Sequence, residues 1–231
     1  MKTLGLIGGM SWESTVPYYR RINELVGERL GGLHSAPIVM VSVDFQPIEE
    51  LQHAGRWEET GDILAGAART LEGAGAEVLV LCTNTMHKVA GAIEAAVQIP
   101  LLHIADATAA AVEEQNIDSV GLLGTRFTME QDFYRDRLEA QGIDVIVPDA
   151  EGRELVHRVI YGELCRGKIV DASRDAYVEV IESLVRAGAR GIVLGCTEIG
   201  LLVSAVDSPV PVFDTTEIHA TAAVDLALAG A

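Results

Sequence analysis

The chain opens with the apolar stretch Thr3-Leu4-Gly5-Leu6-Ile7-Gly8, and a helical pattern follows it from about Ser14 to Leu30. A short apolar run that is bounded by glycine and leads into a helix is typical of a buried strand in a parallel sheet. We therefore expect an α/β fold in which the first strand is followed by a helix that packs on the sheet.

Strands and helices alternate along the rest of the first half, with the segment Asp44–Glu50 interpreted as a loop. Alternation of this kind favours parallel pairing, with functional groups at the carboxyl ends of the strands. The predicted strands are Ile38–Val43, Glu77–Leu81 and Leu101–Ile104, and the predicted helices are Trp57–Glu72 and Asn84–Ala95.

The same order returns in the second half of the chain, which indicates a second α/β unit. The predicted strands are Ser119–Leu123, Asp144–Val147 and Gly191–Leu194, and the predicted helices are Met129–Ala140, Glu151–Arg166, Ala172–Ala187 and Thr197–Ser204.

Landmarks of the first half recur in the second at a nearly constant distance. Gly5-Leu6-Ile7-Gly8 matches Gly121-Leu122-Leu123-Gly124 after 116 positions, and Cys82-Thr83 matches Cys196-Thr197 after 114. Pro100 matches Pro211 after 111 positions. Several landmarks with slowly drifting offsets are what a duplicated unit with small insertions produces. We expect two pseudo-symmetric α/β domains with parallel central sheets, and a ligand site in the cleft between them.

Composition excludes several classes of partner. The 231 residues include 34 acidic and 17 basic side chains, a formal charge of −17, which disfavours binding to nucleic acid or to anionic lipid. No apolar run approaches the roughly 20 residues of a membrane helix, and the first eight residues are too short and glycine-broken for a signal peptide. We therefore expect a cytoplasmic protein that binds neither membranes nor nucleic acid.

Each repeated cysteine closes an apolar run and precedes a predicted helix. Amides at a helix N-terminus favour an anion, so a thiol there is expected to have a pKa below its ordinary value of about 8.5. Thr83, Asn84 and Thr197 add groups that can cap a helix or hold a carboxylate. For one cysteine alone, core filling is the simpler interpretation, because cysteine is among the most buried residue types.

A pair of cysteines at matching positions suggests a shared chemical task. Inversion of a stereocentre by proton transfer needs a base on one face of the carbon and an acid on the other, with the roles exchanged for the opposite enantiomer. Cys82 and Cys196 can fill these roles for an amino acid. Amides of the Gly8–Ser11 and Gly124–Thr125 turns, with Asn84 and Thr197, are expected to stabilise the carboxylate as negative charge grows. Glycines in these turns are expected to let the backbone approach a ligand.

Other motifs do not point to a different chemistry. The spacing Gly5-x-x-Gly8-Gly9 fails the dinucleotide fingerprint, no P-loop lysine follows it, and Gly9–Glu13 lacks the last glycine of a nucleophile elbow. The three cysteines include no CxxC pair, so a disulfide scaffold or a thiolate zinc site is not expected. The six histidines show no HxH or HxxxH ligand spacing, which argues against a metal site.

Three further residues have ordinary interpretations. His87, five positions after Cys82, is interpreted as a surface or core group of a helix, and Cys165 as a structural residue on an amphipathic helix. Glu198 is either a first-turn helix acid or a group that tunes the Cys196 thiol, and the first interpretation is simpler.

With these residues in view, the chain resembles the aspartate/glutamate racemase family over essentially its whole length. The resemblance implies a homodimer, catalysis without pyridoxal phosphate or any other cofactor, and a last helix that starts near Thr215 and returns to the first domain. The domains are then 1–104 with 215–231, and 105–214. The stretches that carry the resemblance are Gly5–Thr15, Leu81-Cys82-Thr83-Asn84-Thr85-Met86-His87-Lys88, Gly121–Thr125 and Gly195-Cys196-Thr197-Glu198-Ile199.

Residue roles follow from the resemblance at the matching positions. It implies proton transfer by Cys82 and Cys196. Members strict for aspartate have a basic residue in the loop after the second strand, but here that loop is Asp44–Glu50, which favours the broad-specificity branch. Lys168 is the candidate partner for a side-chain carboxylate. The residues implied around the α-carboxylate and amino group are Met10, Asn84, Thr85, Thr125 and Thr197.

Two other functions remain open from the sequence. One is a different carbon-acid reaction on the same scaffold, such as hydantoin racemisation, maleate isomerisation or malonate decarboxylation. The other is an amino-acid binding protein that lacks the chemistry. The sequence favours interconversion of L- and D-amino acids, either acidic ones such as aspartate and glutamate or a broader set, because both Cys-Thr pairs are present together with Asn84.

Overall fold

The computed structural model describes residues 1–229 and divides the chain into two compact units. One unit contains Met1–His103 and residues 219–229, and the other contains Ile104–Ile218. The sequence-based first domain extends to residue 231, so its last two residues, 230 and 231, lie outside the described part. Each unit contains one parallel sheet.

The first unit is built on a four-stranded sheet of order β2-β1-β3-β4, in which every pair is parallel. Its strands are β1 (Leu4–Gly8), β2 (Ile38–Ser42), β3 (Val78–Leu81) and β4 (Leu101–Leu102). Its helices are α1 (Trp12–Leu30), α2 (Phe45–His53), α3 (Trp57–Gly73), α4 (Ala90–Glu94) and, from His219, the later part of α10 (Thr215–Leu228).

Both faces of the central strands β1 and β3 are buried, which explains why these two strands are apolar throughout. Leu6 and Val80 pack on one face with residues of α1 and α10, whereas Ile7 and Leu81 pack on the other face with residues of α3. The alternation follows the two-residue period of a strand. The carboxyl ends of β1 and β3 therefore lie side by side at one edge of a rigid layer.

The second unit repeats this architecture with order β6-β5-β7-β8, again fully parallel. The prediction of an α/β fold with two pseudo-symmetric parallel sheets is confirmed. Its strands are β5 (Ser119–Gly124), β6 (Asp144–Ile146), β7 (Gly191–Gly195) and β8 (Val212–Asp214), and its helices are α5 (Ile104–Glu114), α6 (Arg126–Glu130), α7 (Asp132–Glu139), α8 (Ala150–Gly162), α9 (Asp171–Arg186) and the start of α10.

The two Cys-Thr pairs match in sequence but are one residue out of structural register. Ile7 pairs with Leu81 in the first sheet, and its counterpart Leu123 pairs with Leu194 in the second. Counted from these pairs, the position equivalent to Cys196 is Thr83. A shift of one residue turns a side chain to the opposite face of a sheet. The expectation of equivalent thiols is therefore wrong.

Core packing shows the same inversion. Cys82 shares a core cluster with Val80 and α1, which continues one side of the first sheet. Cys196 shares a cluster with Leu194 and the α8 and α9 helices, on the side of the second sheet that corresponds to the α3 side of the first.

Several predicted boundaries are wrong for local reasons. The segment expected to be a loop after β2 is helix α2, because the Asp44 side chain accepts a hydrogen bond from the Gln46 amide and caps it. The strand expected to run to Ile104 ends at Leu102, and Ile104 begins α5. Strand β8 was not predicted, because its three residues are too few to show a period.

Several predicted helices are interrupted. The helix expected after Cys82 is a 3-10 helix (Thr85–Val89) followed by α4, and the one expected after Cys196 is a 3-10 turn (Ile199–Leu201). The helix predicted over 129–140 is split at Gln131, which has extended backbone angles, and the helix predicted over 151–166 is split at Glu163. Within residues 1–229, no helix combines the length and apolar character needed to cross a membrane.

Candidate active site

The carboxyl edge of the first sheet brings the Cys82 segment beside the turn that follows β1. The Cys82 amide donates to the Ile7 carbonyl oxygen at 2.9 Å, which extends the β1–β3 pairing by one bond. Met10 lies in the turn after β1, and Asn84 and Thr85 lie two and three positions after Cys82. Four predicted site residues therefore come from two adjacent strand ends of one unit.

The Cys82 thiol is completely buried and belongs to the same core cluster as Tyr18 of α1 and Ala223 of α10. Its sulfur lies 3.7 Å from the Val80 carbonyl oxygen. Burial raises the pKa of Cys82 well above its ordinary value, because a thiolate loses its hydration in this apolar cluster. The expectation of a lowered pKa is wrong here, since no α-helix begins at the cysteine to offer its amides.

Met10, Asn84 and Thr85 are also buried. The Met10 side chain packs with Ile7 and Met86 in the α3-side cluster. The Asn84 Oδ1 atom is inaccessible to solvent and has no hydrogen-bond partner among the described residues, although the residue has other contacts. The first strand end thus holds one thiol, one amide and two hydroxyl groups within four positions of the chain, 82–85.

The β1 turn is fixed by Thr15. The Gly9 amide donates to Thr15 Oγ1 at 2.9 Å, and Thr15 Oγ1 donates to the Ser11 carbonyl oxygen at 2.9 Å. Gly9 has φ +94°, and a Cβ there would lie 2.2 Å from the Val43 carbonyl oxygen. The Gly9 amide is therefore already bonded, contrary to the expectation that it binds a substrate carboxylate, and its glycine is needed for packing.

The second unit places Thr125 and Cys196 at two adjacent strand ends, because Gly124 of β5 pairs with Gly195 of β7. Thr125 caps α6 by accepting a hydrogen bond from the Thr128 amide at 3.3 Å. Thr197 follows Cys196, and all three predicted residues are buried. As in the first unit, the predicted site residues follow the ends of two adjacent strands, but the cysteine segment is shifted by one residue relative to the sheet.

Cys196 lies beside a carboxylate. Its thiol donates to Glu198 Oε2 at 3.0 Å, and Thr197 Oγ1 donates to the same oxygen at 3.0 Å. Burial, and after it the negative charge of Glu198, raises the pKa of Cys196 well above its ordinary value. Because the pair is buried, loss of the thiol proton to water would leave two negative charges together. Transfer of that proton to Glu198 keeps a single charge.

Glu198 was interpreted from the sequence as a helix acid, and the structure corrects this interpretation. Its side chain makes no capping hydrogen bond to the 3-10 turn that follows it. It contacts the thiol because a tight turn, not a helix, follows Cys196. The signal in the sequence was the two-residue spacing, which places both side chains in one turn.

Lys168 does not belong to either strand edge. It lies in the exposed segment between the 3-10 helix Leu164–Arg166 and α9, as the sequence predicted, and its amide donates to the Glu163 carbonyl oxygen at 3.0 Å.

A buried polar group in the first unit was not found from the sequence. Each of its four members is at most 4% exposed; they are Tyr18, His87, His103 and His219. Tyr18 OH lies 2.9 Å from His219 Nδ1, and the His87 ring lies 4.4 Å from the His103 ring between centroids. These residues are far apart in the chain, so no local sequence pattern predicts that they contact one another. Within residues 1–229, no group of three or more His, Cys, Asp or Glu residues is placed to hold a metal ion.

Comparisons with known proteins extend over nearly the whole chain. Residues 7–223 match the family model described as Asp/Glu/Hydantoin racemase. The chain is 63% identical to a candidate Asp/Glu racemase of known structure from Yersinia pestis, with TM-score 0.91 and coverage of 99% of this chain and 100% of that one. It is 36% identical to an aspartate racemase homologue from Pyrococcus horikoshii, with TM-score 0.84 and coverage of 98% and 99%. It is also 23% identical to the broad specificity amino-acid racemase RacX of Bacillus subtilis over 98% of both chains.

Proposed function

The chain belongs to the Asp/Glu/hydantoin racemase family, and from this premise we propose that it interconverts L- and D-amino acids without a cofactor. The activity class supported by the family is an isomerase of the racemase type. The observation that carries the proposal is the hydrogen bond from the Cys196 thiol to Glu198 beside a strand end, together with a second buried thiol, Cys82.

The proposed chemistry uses one thiol for each enantiomer. One thiolate removes the α-proton from its enantiomer, and the other thiol delivers a proton to the opposite face of the carbanion. The reverse reaction exchanges the two roles. No bound group is needed to supply or accept the proton, since the two sulfurs do both.

Glu198 supports the formation of one of these thiolates. The carboxylate accepts the thiol hydrogen bond and can take up the Cys196 proton without a change in net charge. The positively charged ammonium group of an amino acid then stabilises the remaining negative charge as it approaches. We propose that this route forms the Cys196 thiolate, which then removes the α-proton of the substrate.

The remaining site residues are proposed to hold the amino acid. Asn84, Thr85 and Thr125 provide hydroxyl and amide groups for the α-carboxylate and the amino group. The Thr197 hydroxyl, whose hydrogen is donated to Glu198, offers its oxygen as an acceptor for the amino group. Met10 is proposed to contact the substrate through the backbone of its turn, because its side chain packs in the core. Growth of charge on the carboxylate during proton removal strengthens the donor contacts.

We propose a broad substrate range. Lys168 is exposed, and a cation in water binds a side-chain carboxylate weakly. The segment 44–50 after β2, which includes the first residues of α2, contributes Asp44, Glu49 and Glu50 and no basic residue, which does not favour acidic substrates. Lys168→Ala is expected to lower kcat/KM for aspartate and glutamate by no more than about threefold and to leave neutral amino acids unchanged.

A homodimer is also proposed. Trp12, Val16, Tyr19 and Met40 are each between 46% and 60% exposed and line one groove on the first unit. Contiguous apolar surface of this kind is characteristic of an interaction site. Light scattering is expected to give twice the 24.6 kDa chain mass, and Val16→Glu is expected to give the chain mass itself. A wild-type monomer at micromolar concentration would contradict the dimer.

The function is tested by incubating single enantiomers of a panel of amino acids with the purified protein in heavy water, with a thiol reductant and without pyridoxal phosphate. We expect inversion of neutral as well as acidic amino acids, each with deuterium at Cα. Inversion limited to aspartate and glutamate would contradict the broad range only. Absence of α-proton exchange with every amino acid would contradict amino-acid racemisation and direct the search to hydantoins, maleate and malonates.

A further inference from the structure

The residue that follows each cysteine has its carbonyl oxygen held by a buried side chain. In the first unit, His87 Nδ1 lies 2.7 Å from the Thr83 carbonyl oxygen. In the second unit, Thr216 Oγ1 donates to the Thr197 carbonyl oxygen at 3.4 Å. Both side chains are nearly inaccessible, at 3% and 7% exposure. The two bonds are made by different residue types from different elements.

The proton positions on the first bond follow from its chemistry. A carbonyl oxygen only accepts, so His87 Nδ1 must carry the hydrogen. The same reasoning applies to His219, whose Nε2 lies 3.0 Å from the Leu102 carbonyl oxygen. Its Nδ1 is then an acceptor, and Tyr18 OH donates to it at 2.9 Å.

Three buried histidines, His87, His103 and His219, form a group that connects the backbone after Cys82 with other elements of the first unit. The His87 ring lies against His103, and its centroid is 5.9 Å from that of His219. Through His219, the group reaches β4 and α1. Burial lowers the pKa of His219 to about 4, so this ring is neutral at physiological pH and needs no counter-ion.

The backbone amides on both sides of the Cys82 Cα atom make hydrogen bonds. The Cys82 amide donates to Ile7, and the Thr83 amide donates to the Leu81 carbonyl oxygen at 2.8 Å. The Thr83 carbonyl is the next polar group of this tight turn, and His87, from within the following 3-10 helix, lies 2.7 Å from its oxygen. A 1 Å error in the position of a reacting group is enough to slow catalysis strongly.

We propose that His87 and Thr216 are positioning residues, each of which fixes the direction of one reacting thiol through the carbonyl of the residue that follows it. The proposal rests on the proposed two-thiol racemisation and extends it. His87 acts on Cys82, and Thr216 acts on Cys196. Neither side chain is assigned a contact with the substrate.

The test uses amide side chains that imitate one ring nitrogen at a time. Asn places a donor close to the position of His87 Nδ1, whereas Gln places it closer to Nε2. We expect His87→Ala and His87→Gln to lower kcat about tenfold, which corresponds to about 1.4 kcal/mol, with KM changed less than twofold. His87→Asn is expected to recover most of the loss.

Isotope effects separate positioning from general loss of structure. With α-deuterated substrates, His87→Ala is expected to raise the isotope effect on kcat/KM for the enantiomer that Cys82 deprotonates and to lower it for the other enantiomer. Thr216→Val is expected to give the opposite pattern. A variant that merely unfolds in part loses active molecules and leaves both isotope effects at their wild-type values.

Two results would overturn the proposal: equal activity of the Asn and Gln variants, or isotope effects that stay at wild-type values in both directions. If His87→Ala does not fold, the comparison of Asn with Gln decides. If the wild-type protein racemises nothing, the proposed function fails. His87 is then judged by iodoacetamide labelling of Cys82, which should change in His87→Gln but not in His87→Asn, whereas equal labelling of both variants would contradict the proposal.

Discussion

The Cys196 thiol donates a hydrogen bond to Glu198 at 3.0 Å, and both side chains are buried. The Cys82 sulfur instead lies 3.7 Å from the carbonyl oxygen of Val80, which cannot take up a proton. The two thiols therefore differ in how they can be deprotonated. Under the proposed mechanism, only Cys196 has a neighbouring carboxylate that can take up its proton.

Glu198→Gln is expected to lower kcat at least about a hundredfold, because an amide accepts the thiol hydrogen bond but cannot take its proton. Steady-state kinetics with the best substrate measure the effect. Glu179→Gln, on the exposed side of α9, is the matched control and should behave as wild type. Wild-type turnover by Glu198→Gln would show that Cys196 loses its proton by another route.

The raised pKa of both thiols predicts slow and pH-dependent alkylation. The thiolate is the reactive form, so a thiol whose pKa lies above its ordinary value reacts faster with each rise in pH and does not level off near pH 9. Peptide mass spectrometry after iodoacetamide treatment measures each cysteine separately, with the chain in urea as the reference. A plateau below pH 8 for folded Cys82 or Cys196 would contradict the effect of burial.

The lowered pKa of His219 predicts that the free energy of unfolding falls in mild acid. Its pKa is lowered from the ordinary 6.5 to about 4 in the folded protein. Between these values the unfolded chain binds the proton and the folded protein does not, so this contribution is complete above pH 6.5 and is lost as the pH falls toward 4. The slope is about 1.4 kcal/mol per pH unit.

Urea unfolding between pH 7 and pH 4 measures this slope. His219→Gln, whose amide retains a donor for Leu102, is expected to have a shallower dependence than wild type. His34→Gln alters an exposed histidine and should keep the wild-type slope. Equal slopes in wild type and His219→Gln would remove His219 as the source.

Gly9→Ala is expected to destabilise the first unit by several kcal/mol, since the new Cβ would meet the Val43 carbonyl oxygen and the backbone has φ +94°. Gly55→Ala is the matched control, because Gly55 has φ +70° but open space around its Cβ position. Its cost should be about 1 kcal/mol. Chemical denaturation of both variants gives the comparison, and equal costs would mean that the contact with Val43 is relieved by a small shift.

The apolar runs and the repeat were sufficient to predict the fold, because buried parallel strands carry a strong pattern. The helix α2 was missed since its start depends on one capping contact at Asp44, and β8 was too short to show a period. The one-residue shift between Cys82 and Cys196 is visible only in the strand pairing. Glu198 was within reach of the sequence through its spacing, whereas His219 meets Tyr18 across 201 positions and no local pattern could reveal it.

The most direct test of the two-thiol mechanism is the initial rate of racemisation in heavy water by wild type, Cys82→Ser, Cys196→Ser and Cys165→Ser. We predict that wild type and Cys165→Ser give product that carries deuterium at Cα from the first turnovers, while the unreacted enantiomer keeps its protium. Cys82→Ser and Cys196→Ser are each predicted to lose racemisation by at least about a thousandfold. Full activity in either of these two variants, or deuterium entering the unreacted enantiomer as fast as the product, would contradict proton transfer by two thiols.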